Sequence, residues 1–206
     1  MMRILSFIPI AAISLAGLAI VPAAAQQVTG KPAGNFRLTD ADGKSVTLDQ
    51  FKGRPVVLEW NNPGCPFVQK HYDSGNMQAT QAKAKAAGAV WLTINSGAPG
   101  KQGYMTGPEA KKFVTAQKAQ PTAYLLDPQG RVGKGYAAKT TPHMYLIDAS
   151  GKLVYQGGID DKPTADKADI AGARNHVLAA LGEVKAGKPV SVPETRPYGC
   201  SVKYAG

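Results

Sequence analysis

The chain has 206 residues, which is enough for one domain with a substantial hydrophobic core. Its formal net charge is +10, but the lysines are scattered and do not alternate with aromatic residues, which argues against a nucleic-acid-binding protein. Only two cysteines are present, so a small scaffold held together by several disulfides is excluded.

The first 25 residues predict a secretory signal peptide. Met1-Met2-Arg3 is a short basic start, residues 4–21 are strongly apolar, and Ala23-Ala24-Ala25 has the small-residue pattern of a cleavage site. An uncleaved membrane anchor is the alternative, because the apolar run approaches the length of a membrane-spanning helix. Prolines and a glycine in this region favour cleavage. We therefore expect an exported protein, periplasmic or secreted, with its domain at residues 26–206 and no membrane contact after cleavage.

Alternating and continuous apolar stretches predict the strands that follow. Residues 35–40 and 44–48 alternate on either side of the turn signal Asp42-Gly43 and predict an N-terminal hairpin, followed by a short helical turn. Continuous apolar runs are typical of strands buried on both faces of a sheet. Such runs occur at residues 56–60, 89–95 and 122–126.

Helices are predicted between and after these strands, at residues 66–87, 108–117 and 169–186, with a short helix or turn at 132–139. The segment Asp73-Ser74-Gly75-Asn76 should kink or break the first helix. Residues 140–157 predict a second hairpin, and residues 188–206 form an extended, proline-rich tail. This order predicts an α/β domain with a mixed sheet, in which parallel crossovers come first and an antiparallel hairpin ends the sheet.

Cys65 is the residue on which the functional interpretation depends. It follows the apolar run 56–60 and a Pro/Gly turn, and a helical pattern begins at Pro66, a position that favours proline. The start of a helix offers unpaired N–H groups and a partial positive charge, both of which favour a thiolate over a thiol. The alternative is an inert buried thiol or half of a structural disulfide with Cys200.

Three segments in order along the chain carry a resemblance to known proteins. They are Asn62–Tyr72 around Cys65, residues 140–155 around Pro142, and residues 196–204 in the tail. Together they resemble the thioredoxin superfamily, and especially its peroxiredoxin-like AhpC/TSA or redoxin branch. The resemblance covers nearly the whole chain after the signal peptide. It implies a three-layer, thioredoxin-like fold with a mixed central β-sheet flanked by helices.

The resemblance also implies a set of site residues. Pro142 would be cis and would pack beside Cys65, so that the backbone preceding it is exposed for pairing with an extended peptide. Cys200 would be the second residue of the redox pair. The residues expected to orient the site or to bind substrate are Asn62, Gly64, Pro66 and Thr141.

The sequence departs from both well-known patterns of the superfamily. A thioredoxin has a second cysteine three residues before the position of Cys65, where this chain has Asn62. A peroxiredoxin has a proline and a threonine where this chain has Leu58 and Asn62, and an activating arginine where it has Pro142. A local dithiol is therefore impossible, and efficient peroxidase activity is less expected than in a true peroxiredoxin.

Five polar residues near these segments have open roles. Arg131 or Lys139 could supply the positive charge that the missing arginine would have provided. His143 either raises the local positive potential or faces away from the cysteine, whereas His71 is predicted to be structural. Glu59, inside a buried strand, is either a proton relay beneath the cysteine or a charge that reaches solvent at a strand edge.

We expect a thiol-dependent antioxidant oxidoreductase in which the Cys65 thiolate attacks a peroxide or a protein disulfide. Attack on peroxide gives a sulfenic acid, and Cys200, carried by a flexible tail, is the candidate resolving thiol. An external thiol reductant or a disulfide-exchange partner protein would complete the cycle. No cofactor is expected, and no metal, because no Cys/His cluster has zinc-like spacing. The alternative is a non-catalytic thioredoxin-fold binding module locked by a Cys65–Cys200 disulfide.

Overall fold

A computed structural model describes residues 27–205 of the chain. The predicted signal peptide lies outside the described residues, so its cleavage remains a prediction. Within residues 27–205, no helix is long and apolar enough to cross a membrane.

Seven strands of the described residues form one mixed sheet, and the mixed sheet was predicted. They are β1 (Arg37–Asp40), β2 (Ser45–Thr47), β3 (Val56–Trp60), β4 (Val90–Asn95), β5 (Ala123–Leu126), β7 (His143–Ile147) and β8 (Leu153–Gly157). Their order across the sheet is β2-β1-β5-β4-β3-β7-β8. β4 runs parallel to β3 and β5, whereas β7 runs antiparallel to β3 and β8. After the antiparallel β1–β2 hairpin, which was also predicted, the parallel crossovers come first and the antiparallel β7–β8 hairpin ends the sheet.

Two further short strands, β6 (Thr140–Thr141) and β9 (Cys200–Ser201), pair with each other outside the main sheet. β6 comes directly before Pro142, and β9 belongs to the C-terminal tail. This pairing brings the C-terminal tail to the N-terminal end of β7.

The centre of the sheet is covered on both faces, which explains its continuous apolar runs. All five residues of β3 are buried. Val56, Leu58 and Trp60 pack in one hydrophobic cluster, and Val57 packs in another that also contains Cys65. Alternate residues of a strand point to opposite faces, so the two clusters lie on opposite sides of the sheet.

In the described part of the chain, five α-helices flank the sheet: α1 (Pro66–Asp73), α2 (Asn76–Ala86), α3 (Gly107–Ala116), α4 (Arg131–Gly135) and α5 (His176–Lys185). The predicted break in the first long helix is confirmed between α1 and α2. Gly75 adopts a left-handed conformation there, with φ of 77°, which a helix interior does not accommodate.

The predicted helix at residues 169–186 was wrong in its first half. A 3-10 helix occupies Lys167–Gly172, and the α-helix begins only at His176. The side chain of Asn175 accepts a hydrogen bond from the backbone N–H of Leu178 at 2.9 Å and caps the later helix. Asparagine competes for backbone donors in this way, so it starts the helix instead of continuing an earlier one.

The tail is extended, as predicted, but it is held against the sheet rather than free. The backbone N–H of Gln156 donates to the carbonyl of Pro193 at 3.0 Å, and the N–H of Thr195 donates to Gln156 at 3.1 Å. Gly157 allows this approach, because a Cβ atom there would lie 2.2 Å from the Thr195 hydroxyl oxygen. The expectation of a flexible tail is therefore corrected. The tail pairs with β8 before it reaches β6.

Candidate active site

A tight turn between β3 and α1 positions Cys65. Cys65 occupies the N-cap position of α1, and Pro66 is the first helical residue. The backbone N–H of Cys65 donates to the carbonyl of Asn62 at 3.0 Å, and the Asn62 side-chain oxygen accepts from the N–H of Gly64 at 2.9 Å. The turn thereby directs the Cys65 thiol inward, and the residue has no exposed surface.

The loop that contains Gln102 and Gly103 packs against this turn, although the sequence did not assign it to the site. The Asn62 side-chain amide donates to the side-chain oxygen of Gln102 at 2.9 Å. A Cβ atom at Gly103 would lie 1.8 Å from the Asn62 side-chain oxygen, so glycine is needed for this close packing. The glycine-rich composition of this loop is the only sequence signal that pointed to it.

The Thr141–Pro142 peptide bond is cis, as predicted from the resemblance. Thr141 precedes this bond and is buried, and its carbonyl oxygen accepts a hydrogen bond from the Cys65 thiol at 3.0 Å between Sγ and oxygen. The carbonyl is thus part of the immediate environment of the sulfur.

Cys200 lies directly beside Cys65, although 135 residues separate the two in sequence. In the β6–β9 pair Cys200 is opposite Thr141, and its backbone N–H lies 3.4 Å from the Cys65 sulfur. The two thiols also hydrogen-bond to each other, and neither is in a disulfide. The pairing of the tail with β6 therefore places both sulfurs in one site.

Gly199 makes this pairing possible. Its φ is 128°, in the region that favours glycine, and a Cβ atom there would lie 2.0 Å from the carbonyl oxygen of Thr141. Any other side chain would push the tail off the cis peptide. Sequence reasoning did not select this residue, although a glycine directly before Cys200 was visible in the tail.

The same pairing corrects one expectation about substrate access. The backbone of Thr140 and Thr141 was expected to be exposed for an extended peptide, but Cys200 and Ser201 of the tail occupy it. The tail can take this place because β6 presents unpaired backbone groups at its edge. Any extended segment can pair with them, including one from the same chain.

The two thiols have different acidities. Burial raises the pKa of the Cys65 thiol, but hydrogen bonds from the Cys200 thiol and backbone, with those of Thr141 and Val68, outweigh burial and lower it overall. The pKa of Cys200 is raised to about 11 by burial and by its hydrogen bond to Cys65. Cys65 is therefore the thiol of the pair that ionises first.

Neutral hydrogen-bond donors, not cations, produce this acidity. Among the described residues, neither Arg131 nor Lys139 is a cause of the Cys65 pKa shift. His143 is buried, and its Nδ1 accepts a hydrogen bond from the backbone N–H of Lys139 at 3.3 Å. Burial lowers the pKa of His143 to about 3, so it is uncharged at neutral pH and does not raise the local positive potential.

Glu59 lies on β3, the strand that precedes the turn, and it does not reach solvent. The alternative that Glu59 is a charge reaching solvent at a strand edge is therefore wrong. It has no exposed surface, and both carboxylate oxygens accept hydrogen bonds. The four donors are the side chains of Asn61, Tyr72, Trp91 and Thr93, at 2.8–3.1 Å. Burial raises the pKa of Glu59 despite these donors.

His71 is structural, as predicted. It is fully buried, its Nδ1 lies 2.8 Å from the side-chain nitrogen of Asn76, and its Nε2 lies 3.1 Å from the hydroxyl of Tyr198. Tyr198 belongs to the tail and was not singled out from the sequence. No periodicity in a proline-rich segment could have indicated its partner.

Known proteins with similar sequences are thiol enzymes by name. The model of the AhpC/TSA family matches residues 29–156, which include Cys65 and Pro142 but not the tail. The thiol-disulfide oxidoreductase ResA of Bacillus thuringiensis subsp. konkukian is 29% identical over 62% of this chain and 68% of its own length. The thiol peroxidase of Mycobacterium bovis is 27% identical over 84% of this chain and 99% of its own length.

Solved structures agree with this fold. A hypothetical protein of Sinorhizobium meliloti superimposes with a TM-score of 0.73 at 26% identity, over 87% of this chain and 96% of that one. A Chlorobium tepidum protein described as a candidate thiol:disulfide interchange protein DsbE has a TM-score of 0.56 at 29% identity, over 76% of this chain and all of that one. The chain, a thiol oxidoreductase with a thioredoxin-like fold, therefore belongs to the AhpC/TSA family.

Proposed function

We propose that this protein is an exported thiol oxidoreductase with antioxidant function, in which Cys65 is the attacking thiolate and Cys200 is the resolving thiol. The observation that carries the proposal is the 3.4 Å distance between the Cys200 backbone nitrogen and the Cys65 sulfur, together with the contact between the thiols. A disulfide between them requires no large movement of the tail. Export rests on the signal sequence at residues 1–25.

The first candidate substrate is a small peroxide. The Cys65 thiolate attacks one peroxide oxygen, an S–O bond forms, and the O–O bond breaks as the leaving oxygen takes up a proton. The Cys200 thiol then attacks the sulfenic sulfur, an S–S bond forms, and the sulfenic oxygen leaves as water. An external thiol reductant, which supplies two electrons, restores both thiols. The lack of exposed surface at Cys65 favours a substrate of a few atoms.

The second candidate substrate is a protein disulfide. The strand edge before Pro142 supports this class, as do the names of the ResA and DsbE relatives. A peptide could use this edge only after β9 has left it, because β9 occupies it in the reduced protein. Disulfide exchange therefore requires the tail to move, whereas reaction with a peroxide does not.

The decisive experiment exposes reduced protein to hydrogen peroxide and analyses each cysteine by mass spectrometry. In the Cys200→Ser variant, we expect a sulfenic acid to accumulate at Cys65, where a sulfenic-acid trap captures it. The unmodified chain should instead form a Cys65–Cys200 disulfide, because the resolving thiol is already in place. The Cys65→Ser variant is the matched control and should form neither product.

Two other results would change the assignment. A mixed disulfide between the Cys200→Ser variant and a disulfide-containing peptide, with no sulfenic acid after peroxide, would establish exchange instead of peroxide reduction. If Cys65 reacts with neither oxidant faster than a free cysteine with its pKa of about 8.5, the enzymatic proposal fails. The non-catalytic module locked by the two cysteines would then be the remaining explanation.

A further inference from the structure

We propose that Tyr198 is a positioning residue for the resolving thiol: its hydroxyl anchors the tail to α1 and to the loop after β8, and thereby holds Cys200 against Cys65. This inference rests on the proposed function, because it concerns the second step, in which Cys200 attacks the sulfenic sulfur of Cys65 and the hydroxyl group leaves as water. Tyr198 does not touch the reacting sulfurs and acts through the position of the backbone.

A directional chain of hydrogen bonds passes through the Tyr198 hydroxyl. The side-chain amide of Asn76 donates to Nδ1 of His71 at 2.8 Å, which leaves the histidine proton on Nε2. Nε2 then donates to the Tyr198 hydroxyl oxygen at 3.1 Å, and that hydroxyl donates to Oδ1 of Asp160 at 2.5 Å. His71 and Tyr198 each give one hydrogen bond and receive one, so the arrangement permits a single orientation of the tyrosine hydroxyl.

The partners of the hydroxyl are buried, which makes its removal costly. His71 has no exposed surface and Asp160 is 4% exposed. Asp160 Oδ1 also accepts from the backbone N–H of Lys162 at 3.0 Å. Its Oδ2 has no hydrogen-bond partner among the described residues and lies 3.9 Å from Nε2 of His71. Within residues 27–205, the Tyr198 hydroxyl is thus one of two hydrogen-bond donors to the buried Asp160 carboxylate, and its loss leaves both Asp160 and His71 with an unsatisfied hydrogen bond.

The aromatic ring of Tyr198 makes separate contacts that a phenylalanine would keep. It packs edge-on against Phe67, with ring centroids 5.9 Å apart, and the ammonium group of Lys70 lies 5.8 Å from its centroid. The Tyr198→Phe substitution therefore isolates the contribution of the hydroxyl from that of the ring.

Cys200 depends on anchors on either side of it. On one side only Gly199, with φ of 128°, separates it from Tyr198, and a glycine restricts the backbone little by itself. On the other side the N–H of Val202 donates to the carbonyl of Lys139 at 3.1 Å. Residues 195–199 of the tail border a cavity of about 610 Å³, which the loop after β8 lines on its other side, so part of this segment is not packed against protein. The Thr195 hydroxyl anchors the start of this segment, where it accepts a hydrogen bond from the backbone N–H of Gly158 at 3.0 Å, and the Tyr198 hydroxyl anchors it closer to Gly199.

The test measures the two redox steps separately in reduced protein mixed rapidly with hydrogen peroxide. Tyr198→Phe should change the rate of sulfenic-acid formation at Cys65, measured in the Cys200→Ser background, less than it changes the rate of disulfide closure. Closure of the Cys65–Cys200 disulfide should be slower by roughly tenfold to a hundredfold, the size expected from losing a hydrogen bond to a charged group. Asp160→Asn, which keeps a weaker acceptor, should give an intermediate rate.

A second readout does not require peroxide chemistry. Cys65 is fully buried under the tail, so release of Tyr198 should accelerate alkylation of the Cys65 thiol by iodoacetamide, again by roughly tenfold. Tyr136→Phe is the matched control, because its hydroxyl also donates a hydrogen bond, to the carbonyl of Gly34 at 2.6 Å, on the other face of the sheet. It should change neither closure nor alkylation, and circular dichroism should show all variants folded.

The outcomes separate this inference from the proposed function. If unmodified protein forms no oxidised Cys65, the proposed function fails and no resolving step exists to position. If unmodified protein closes its disulfide and Tyr198→Phe closes and alkylates at the same rates, the positioning role is overturned while the proposed function stands. Equal effects of Tyr136→Phe and Tyr198→Phe would also overturn it, because the change would then reflect general stability.

Discussion

At the residue scale, the properties of Cys65 come from a balance between burial and hydrogen bonding. Full burial disfavours its thiolate, whereas donors from Cys200, Thr141 and the first turn of α1 favour it and lower the pKa. No cation takes part among the residues described by the structure. The acidity of Cys65 therefore depends on the tail being in place, which makes the residues that seat the tail as important as the cysteine.

Replacement of Gly199 by alanine tests this seating directly. The new Cβ atom would meet the Thr141 carbonyl oxygen at 2.0 Å, so we expect β9 to leave β6 and the free energy of unfolding to fall by about 1–3 kcal/mol. Equilibrium urea unfolding measures the change. Gly182→Ala is the control: nothing lies within 4 Å of its Cβ position in α5, and alanine there should stabilise by roughly 0.5–1 kcal/mol. Unchanged stability of Gly199→Ala would show that the tail is seated by other contacts.

At the element scale, caps and breaks decide where the helices lie around the site. Gly75 separates α1 from α2, so α1 is a short helix whose first turn serves Cys65 and whose second turn carries His71 and Tyr72 to buried partners. Asn175 delays the start of α5 until His176. The boundary between the 3-10 helix and α5 follows from this one polar side chain.

Substitution of Asn175 by alanine should therefore destabilise the protein. The cap on the N–H of Leu178 would be lost, together with a hydrogen bond from the Asn175 amide to the Thr80 hydroxyl at 3.0 Å. We expect the free energy of unfolding to fall by about 0.5–2 kcal/mol. Asn175→Asp is the matched control, because its carboxylate keeps the cap, and it should retain most of the stability in urea unfolding. An equal loss in both variants would assign the effect to Thr80 and not to the cap.

At the scale of the whole molecule, two buried neutral histidines make the fold sensitive to acid. Burial lowers the pKa of His71 to about 4 and that of His143 to about 3, below the value of 6.5 for a free histidine. Between these values the unfolded chain binds more protons than the folded one, so the free energy of unfolding falls as the pH falls. Glu59 acts in the opposite direction above pH 4.5, because its folded pKa is raised.

A comparison with His71→Gln isolates one of these contributions. Asp160 favours and Lys70 opposes protonation of His71, but burial is the largest cause of its shift. From pH 6.5 down to pH 4, unmodified protein should lose on the order of 3 kcal/mol more unfolding free energy than His71→Gln. Glu59 and His143 are common to both proteins, so their contributions cancel. Parallel losses in urea unfolding at each pH would contradict a neutral buried His71.

The sequence by itself determined the α/β class, the mixed sheet, the broken first helix and the placement of Cys65 at a helix start. These features depend on local patterns: apolar runs, turn residues and capping positions within a few residues of each other. The cis bond before Pro142 and the family were predicted from short sequence motifs. The start of α5 was mistaken because Asn175 was not recognised as a cap.

Only the tertiary structure decided how the site is completed. Three contacts between residues far apart in the chain complete it. Cys200 contacts Cys65, Gly199 allows the tail to pair with β6, and Tyr198 forms hydrogen bonds with His71 and Asp160. The tail has no periodicity to reveal its partners, because an extended segment is positioned by the backbone edge and the cavities it meets. Its place is therefore a property of the folded surface, and the local sequence does not contain it.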